Sequence, residues 1–368
     1  MIVYNVVYFC LPFEKQNMMK VAILYQLYPA PEVDGILKPM KEGGYSDSGA
    51  DIAYSLKKQG VDVITPVAAP DILDNLSWVF PDTIEGISDA IAKGADTFWL
   101  NTVLYKNHPI EYFMDEGYWI VGQIPEKVEV YDDKIRTNLL LSSNGLPIPK
   151  SKLIKDEDLG NLNIDFGLPM VIKPIRGRGS QGVKLVWSKT ELDDTQKEMF
   201  DSGEYGNMVY VEEFLSGEEI TISVMPAGTY QINGKEVIKK DYWSLPPVKR
   251  INHNEGIAPY NGIVAVTQNS IVLQEDELND PTVRRASRFC ERAAELVEAR
   301  ALVRIDCRAN ANGEFFLFDL NMKPNMTGAS RPHRGDQDSL TAIAARKIGW
   351  SFDDLLINML NQRWRIRA

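Results

Sequence analysis

Two short stretches carry residues whose types and spacing can handle charge: a glycine-rich loop at 177–182 and an acidic ribbon at 301–322. In the first, Met170-Val171-Ile172-Lys173-Pro174 reads as a strand, Ile175-Arg176-Gly177-Arg178-Gly179-Ser180-Gln181-Gly182 as a loop, and 183–187 as the returning strand. Backbone N–H groups of such a loop, those of Gly179, Ser180, Gln181 and Gly182 among them, can fold over phosphates, with Lys173 entering from the preceding strand as a point charge. Gly177, Gly179 and Gly182 formally fit GxGxxG, but a dinucleotide site needs a helix after the loop, and here a strand follows. No GxxxxGK[ST] loop occurs. Asp165-Phe166-Gly167 precedes the glycine loop and no HRD-type loop is present, which excludes a protein kinase by order. By itself the loop fits a surface turn as readily as a nucleotide site.

The acidic ribbon narrows that choice. Residues 301–310 and 314–322 flank Asn312-Gly313, a dipeptide that favours a two-residue hairpin turn. That turn makes Asp306 face Asp319 and Arg304 face Asn321, all on one side of the ribbon, because strand side chains alternate. Like charges placed opposite each other destabilise a sheet, so the pair calls for a cation or a solvated face beside Arg304 and Arg308. Two carboxylates and the Asn321 amide are oxygen ligands of the kind Mg²⁺ takes, its shell being completed by water and phosphate oxygens. The other face is expected to bury Val303, Ile305, Cys307, Phe316, Phe318 and Leu320.

Both stretches need elements to hold them. Residues 21–125 alternate short apolar runs with helical stretches: strand 21–25, helix 47–59, strand 61–65, helix 85–93, strand 96–100, then 118–123. This pattern predicts an α/β unit with a parallel sheet. Asp132 is a plausible N-cap for a helix over 133–143, which stops at Asn144-Gly145. Beyond it the chain turns hairpin-rich, with turns around 177–182, at Asn233-Gly234 and at Asn312-Gly313, and a helix over 281–299. The division expected is 19–130, 131–215 and 216–368, with 1–18 an extension or a misassigned start. At 368 residues, 44% apolar and 25% charged, the composition is globular, and a net charge of -11 argues against a nucleic-acid surface. Cys10, Cys290 and Cys307 lack CxxC spacing and the three histidines are scattered, which speaks against disulfide or zinc scaffolds. The apolar start is too short to span a bilayer and has no positive lead, so a cytoplasmic, membrane-free protein is expected.

From about 133 to 330 the sequence resembles the ATP-grasp enzymes, in their D-alanine–D-alanine ligase-like branch. Asp133-Lys134 matches the start of the family's central domain, where the lysine approaches nucleotide phosphates, and Lys173 matches the second phosphate lysine. Val211-Glu212-Glu213-Phe214-Leu215-Ser216-Gly217-Glu218-Glu219 resembles the interdomain segment. The resemblance implies backbone contact with adenine at Glu213 and Leu215, with Glu212 in the same segment, and a ribose contact at Glu219. It implies that Asp306, Asp319 and Asn321 bind two Mg²⁺, with Mn²⁺ an alternative, and that Arg304 stabilises the reaction centre. Asn325-Met326-Thr327 through Ser330 matches the stretch that binds the acceptor carboxylate, with Ser330 the candidate, and Lys239 or Lys240 is a candidate for reaching phosphate. The implied fold is ATP-grasp: an N-terminal parallel-sheet domain and two hairpin-rich α+β domains clasping ATP. Departures are Asp319 where the family has Glu, Asn325 where it has Gly, and Gly179 beside a single serine. Gly43-Gly44-Tyr45-Ser46-Asp47 is a loose match to Gly-Gly-x-Ser-Glu, leaving Asp47 to hold an ammonium group or to start a helix, the latter preferred.

The implied activity is ATP-dependent joining of a small-molecule carboxylate and an amine, an amino acid among them, through an acyl phosphate, with substrates other than those of the housekeeping ligase. A homodimer is compatible with it. A small-molecule kinase on the same scaffold and a non-catalytic nucleotide-binding regulator are the alternatives.

Overall fold

The computed structural model describes residues 19–158, 164–177, 181–206, 208–253, 256–258 and 265–366. The stretch 1–18, read above as an extension, lies outside them. The first sheet contains β1 (Lys20–Tyr25), β2 (Asp62–Val63), β3 (Phe80–Pro81), β4 (Thr97–Asn101) and β5 (Trp119–Val121), in the order β2-β1-β4-β5 with β3 also on β1, every pair parallel. Its strands are continuous apolar runs because both faces are covered. Ala22 and Leu24 join one core while Val21 and Ile23 join another, and the second core also holds Leu355 and Leu356 from near the C-terminus. The chain end returns to this sheet, where Trp364 bridges Ile120.

The helices in chain order are α1 (Ser46–Lys58), α2 (Ile84–Ala92), α3 (Ile110–Asp115), α4 (Pro125–Asp132), α5 (Lys134–Ser143), α6 (Lys189–Asp201), α7 (Glu275–Leu278), α8 (Pro281–Leu296), α9 (Leu340–Lys347) and α10 (Phe352–Asn361). Two sequence expectations about their starts need correction. Asp132 is the last residue of α4, an element the sequence pattern did not separate, and Asp133 is the cap of α5, accepting a bond from the Arg136 N–H. The N-cap of α1 is Tyr45, in the left-handed region at φ 68° and without a side-chain cap bond, so Asp47 sits inside the first turn and helps only through the helix dipole.

A second, antiparallel sheet runs β6 (Ser151–Lys155), β9 (Met208–Glu213), β7 (Met170–Pro174), β8 (Lys184–Val186) in spatial order. The third contains β10 (Glu219–Met225), β13 (Trp243–Ser244), β14 (Val248–Arg250), β15 (Ser270–Val272), β16 (Val303–Ala309) and β17 (Phe315–Asn321), in the order β15-β14-β10-β16-β17 with β13 on β10, again antiparallel. Between β10 and β13 the chain makes a separate hairpin of β11 (Gly228–Ile232) and β12 (Lys235–Lys239), turning at Asn233-Gly234 as expected.

The β16–β17 register reaches the expected acid pair by a different route. The turn is one residue wider than a two-residue hairpin: Ala309 pairs with Phe315, the Asn310 N–H bonds Glu314 O, and Gly313 takes φ 80°. That shifts the ladder by one residue, so Cys307 pairs with Leu317. A bulge between Asp306 and Cys307, with Phe318 the extra residue, shifts it back, and Asp306 faces Asp319 while Arg304 faces Asn321. The cost to the earlier reading is on the apolar face. Phe315 and Leu317 are buried there with Val303, Ile305, Cys307 and Ala309, whereas Phe316 and Phe318 are only half-buried, and Phe318 lines the cleft described next.

Candidate active site

A cavity of about 660 Å³ is lined by residues of the second and third sheets, by the loops that follow β1 and β4 of the first, and by residues of α1, α4 and α5, within the range of small-molecule sites. Two lysines enter it. Lys134, the first residue of α5, puts Nζ 3.3 Å from Asp319 Oδ1, and Lys173, on β7, puts Nζ 2.7 Å from Glu212 Oε1 with both side chains 5% exposed. Lys173 Nζ also lies 5.2 Å from the Phe318 ring centre, a contact that the bulge at Phe318 makes available. Burial raises the Glu212 carboxyl above its ordinary value although Lys173 opposes it. Burial acts the same way on Asp319, yet Lys134, Lys173 and Arg304 together hold that carboxyl below its usual range. Lys134 in turn is held above its ordinary value, because Asp319 and Asp132 outweigh the effect of burial.

Asp306 and Asp319 are direct cross-strand neighbours. Thr221 Oγ1 donates to Asp306 Oδ1 at 2.6 Å and Arg304 Nη2 to Asp306 Oδ2 at 3.2 Å, which fixes the first carboxylate from β10 and from its own strand. Asn321 Oδ1 accepts the Lys323 N–H at 2.9 Å. The donors are all oxygens, with Asp319 held ionised, a set that suits Mg²⁺ and leaves room in its shell for water and phosphate oxygens. Among the described residues no group of three or more His, Cys, Asp or Glu that could hold a metal ion occurs.

Glu212, Glu213, Leu215 and Glu219 also line the cavity. The Glu213 N–H is already bonded to Lys150 O at 2.9 Å, and its carboxylate accepts the Lys150 N–H at 2.9 Å. Glu219 Oε2 lies 2.9 Å from His253 Nε2 and 3.6 Å from Arg308 Nη1. One cleft residue escaped the sequence reading. Arg250, on β14 opposite Glu219, is 7% exposed, and burial lowers its pKa against the pull of Asp306 and Glu219. Its strand has only three residues, too few for an alternation signal; the one available clue was a basic pair, Lys249-Arg250, next to a strand-like valine. Arg250 Nε, Arg304 Nε and Glu212 Oε2 are buried on cleft-lining residues without hydrogen-bond partners among the described residues, capacity that a polar ligand can use.

The remaining candidates divide between the cleft and other parts of the fold. Gly179 and Ser180 lie outside the described residues. Gln181 is exposed, and Gly182, at φ 72°, is pressed against the Tyr205 ring. Ser330 does not line the cavity: its Oγ donates to the fully buried Asp51 at 2.7 Å, within a cluster that also holds Arg331 and Arg334. Neither Lys239 nor Lys240 lines it either, since Lys239 ends β12 with Nζ 4.6 Å from the Trp243 ring centre and Lys240 is exposed beyond it. Asn325 and Thr327 are at the cleft, the Asn325 side chain accepting the Thr327 N–H and hydroxyl. Asp47 lines it too, paired with Lys41 at 2.7 Å and reached by Arg334 at 3.4 Å. Cys307 is core, as expected, with Sγ 3.4 Å from that of Cys290. No helix among the described residues is long and apolar enough to cross a membrane.

The family model described as "D-ala D-ala ligase C-terminus" matches residues 140–361. The chain is 26% identical over 232 residues to a D-alanine–D-alanine ligase of Acinetobacter baumannii, a match covering 62% of this chain and 66% of that protein, just under two thirds of its length. It is 27% identical over 235 residues to that of Chromohalobacter salexigens, covering 62% of this chain and 64% of the relative. Among solved structures it is similar to a Bacillus anthracis D-alanine–D-alanine ligase complexed with ATP, with TM-score 0.60, 19% identity and coverage of 94% of this chain and 96% of the other. It is also similar to the VanG D-Ala:D-Ser ligase of Enterococcus faecalis, with TM-score 0.58 and 16% identity over 94% and 99% of the two chains.

Proposed function

Because the chain belongs to the D-ala D-ala ligase family and has its ATP-grasp fold, we propose that it is an ATP-dependent carboxylate–amine ligase that works through an acyl phosphate. The observation that carries this reading is the Asp306–Asp319 pair held in one cavity with Lys134, Lys173 and Arg304. A substrate carboxylate attacks the γ-phosphate of ATP, the bond to the β-phosphate breaks and ADP is left beside the new acyl phosphate, while Lys134 and Lys173 neutralise the charge that gathers on the phosphates. Asp306, Asp319 and Asn321 are the residues that would hold Mg²⁺, which supplies further neutralisation of the nucleotide. The amine then attacks the acyl carbon, Arg304 is placed to stabilise the oxyanion, phosphate leaves and an amide remains. Glu219 is the proposed ribose acceptor, with His253 giving way, and Glu212 to Leu215 border the adenine. Domains at 19–130, 131–215 and 216–368 belong to this proposal, supported by sheets that fall inside those limits.

Asp319, Asn325 and Gly179, which depart from the family pattern, favour substrates other than two D-alanines. The test is release of ADP and phosphate by the purified chain with amino-acid pairs, dipeptides and carboxylated metabolites, followed by mass spectrometry of the product. Equal ADP and phosphate with an amide product is the expected result. A phosphorylated product without amide would instead identify a kinase, and Mg²⁺-independent binding with no turnover a regulatory protein.

A further inference from the structure

The cleft has one wall that the ligase chemistry does not explain. After β1 the chain makes a long excursion over residues 27–43 and returns to its starting point, where the Gln26 N–H bonds Gly44 O at 2.9 Å. The root is pinched: a Cβ on Gly44, already at φ 55°, would meet Gln26 O at 1.8 Å. The excursion leaves from the carboxyl end of a parallel strand, the place where open α/β sheets bind their ligands. At its tip Val33 and Ile36 exchange backbone hydrogen bonds across Asp34 and Gly35, both in the left-handed region. The tip docks on the second sheet's side of the cleft. Asp34 pairs with Arg176 at 3.3 Å, immediately before the glycine-rich loop, and Ile36 lies against Gly206, where a Cβ would come within 2.9 Å of it.

The strap's tip presents apolar side chains to the cavity, while Lys38 and Lys41 line it nearer the root. Ala30, Pro31, Val33 and Ile36 line it together with Leu104 and Tyr105 from the loop after β4, and Ala30, Ile36 and Leu104 are at most 7% exposed. The charged side chains of the strap nearest this wall are already neutralised, Asp34 by Arg176 and Lys38 by Asp132. A polar or charged substituent placed here would lose its water and find no partner, whereas an apolar one gains by leaving water. The wall lies outside the stretch matched by the family model, which begins at residue 140, so family membership does not dictate what it accepts.

We propose that this wall selects the substrate whose carboxylate is phosphorylated, and that this substrate is an amino acid with a large, branched or aromatic apolar side chain. The proposal rests on the ligase reading above. Arg176 closely follows β7, which carries Lys173, so the strap's anchor there puts the wall on the side of the cleft where the ligase reading places the phosphates and the donor carboxylate.

The test uses the full chain with MgATP and hydroxylamine, which intercepts an acyl phosphate as a hydroxamate and releases phosphate, so no acceptor need be known. Glycine, alanine, valine, leucine, phenylalanine, aspartate and lysine, each in both stereochemical forms, serve as donors. One buried methylene in such a pocket is worth roughly 10- to 200-fold in discrimination, so kcat/KM for leucine or phenylalanine should exceed that for alanine at least about tenfold. Ile36→Ala should shrink this preference severalfold, and Leu104→Ala provides a second variant should the first not fold. Hydroxamate from glycine, alanine or charged donors in preference to the apolar ones would overturn the wall's role and leave the ligase reading intact. Hydroxamate from none of the donors would overturn both.

Discussion

At the scale of single residues the cleft is organised by buried opposite charges, and their removal has a sign that can be worked out. Lys173 and Glu212 are both 5% exposed and 2.7 Å apart. Deleting one partner of such a pair costs roughly 3–5 kcal/mol, because the other is left charged in an apolar setting. Glu212 already has its folded pKa raised by burial, and Lys173→Met raises it further. A carboxyl with a raised folded pKa favours the fold most below its unfolded value, about 4.3, and that contribution is lost as pH climbs through the folded value. The deficit of Lys173→Met relative to wild type should therefore grow as pH rises above the unfolded value of about 4.3 in urea unfolding, on the linkage argument. A deficit that stays flat would show that Glu212 is not left charged and alone. Asp306→Asn and Asp319→Asn belong to the same scale. Each removes an anionic oxygen proposed to hold Mg²⁺, and each should lower Mg²⁺-dependent turnover by about a hundredfold or more, on the scale of losing a group that stabilises transition-state charge. Unchanged turnover in either variant would remove that residue from the site.

Elements decide whether such residues can be found by reading. The acid pair was legible because 303–309 alternates cleanly and Asn312-Gly313 marks the turn, even though that turn is wider than the dipeptide suggests and a bulge at Phe318 compensates. Two local departures cancel in the pairing of Asp306 with Asp319 and do not cancel at Phe316 and Phe318, whose faces were misjudged for that reason. Arg250 was invisible because a three-residue strand has no period, and its partner Glu219 is joined to it only by the sheet. Ser330 was placed by resemblance, but its hydroxyl is taken by Asp51, a contact between residues 279 positions apart that no local pattern encodes. The strap was illegible for the same cause, since its tip is held by Arg176 and Gly206. Its root nevertheless makes a sharp prediction. Gly44→Ala would force a Cβ to 1.8 Å from Gln26 O, a clash that must move backbone, and should cost about 3 kcal/mol or more, in the range of severe core and strain changes. Gly60→Ala, at φ 84° with nothing within 4 Å, carries only the left-handed penalty of about 1–2 kcal/mol. Thermal unfolding of the two variants side by side distinguishes steric closure of the strap from a general glycine effect; equal losses would mean that the root is not pinched.

For the whole molecule, the question is how a chain with a net charge of -11 holds a polyanion. The far field repels ATP, so binding has to come from the local cations Lys134, Lys173, Arg250 and Arg304 inside the cleft, at distances too short for salt to screen fully. The carboxylates of Asp306 and Asp319 stand among them and oppose a free triphosphate, but they favour one that arrives with a divalent cation. The nucleotide should then stabilise the fold in a cation-dependent way. A ligand present at a hundred times its Kd adds about 2.7 kcal/mol, a rise of a few degrees in Tm for a protein of this size. MgATP should produce that rise, and ATP with chelator a clearly smaller one. In Asp319→Asn the repulsion of free ATP and the attraction of the cation are both weakened, so the two shifts should converge. If wild type is stabilised equally by ATP with and without Mg²⁺, the acidic pair is a structural feature of the sheet, and the cleft binds its nucleotide through the lysines and arginines alone.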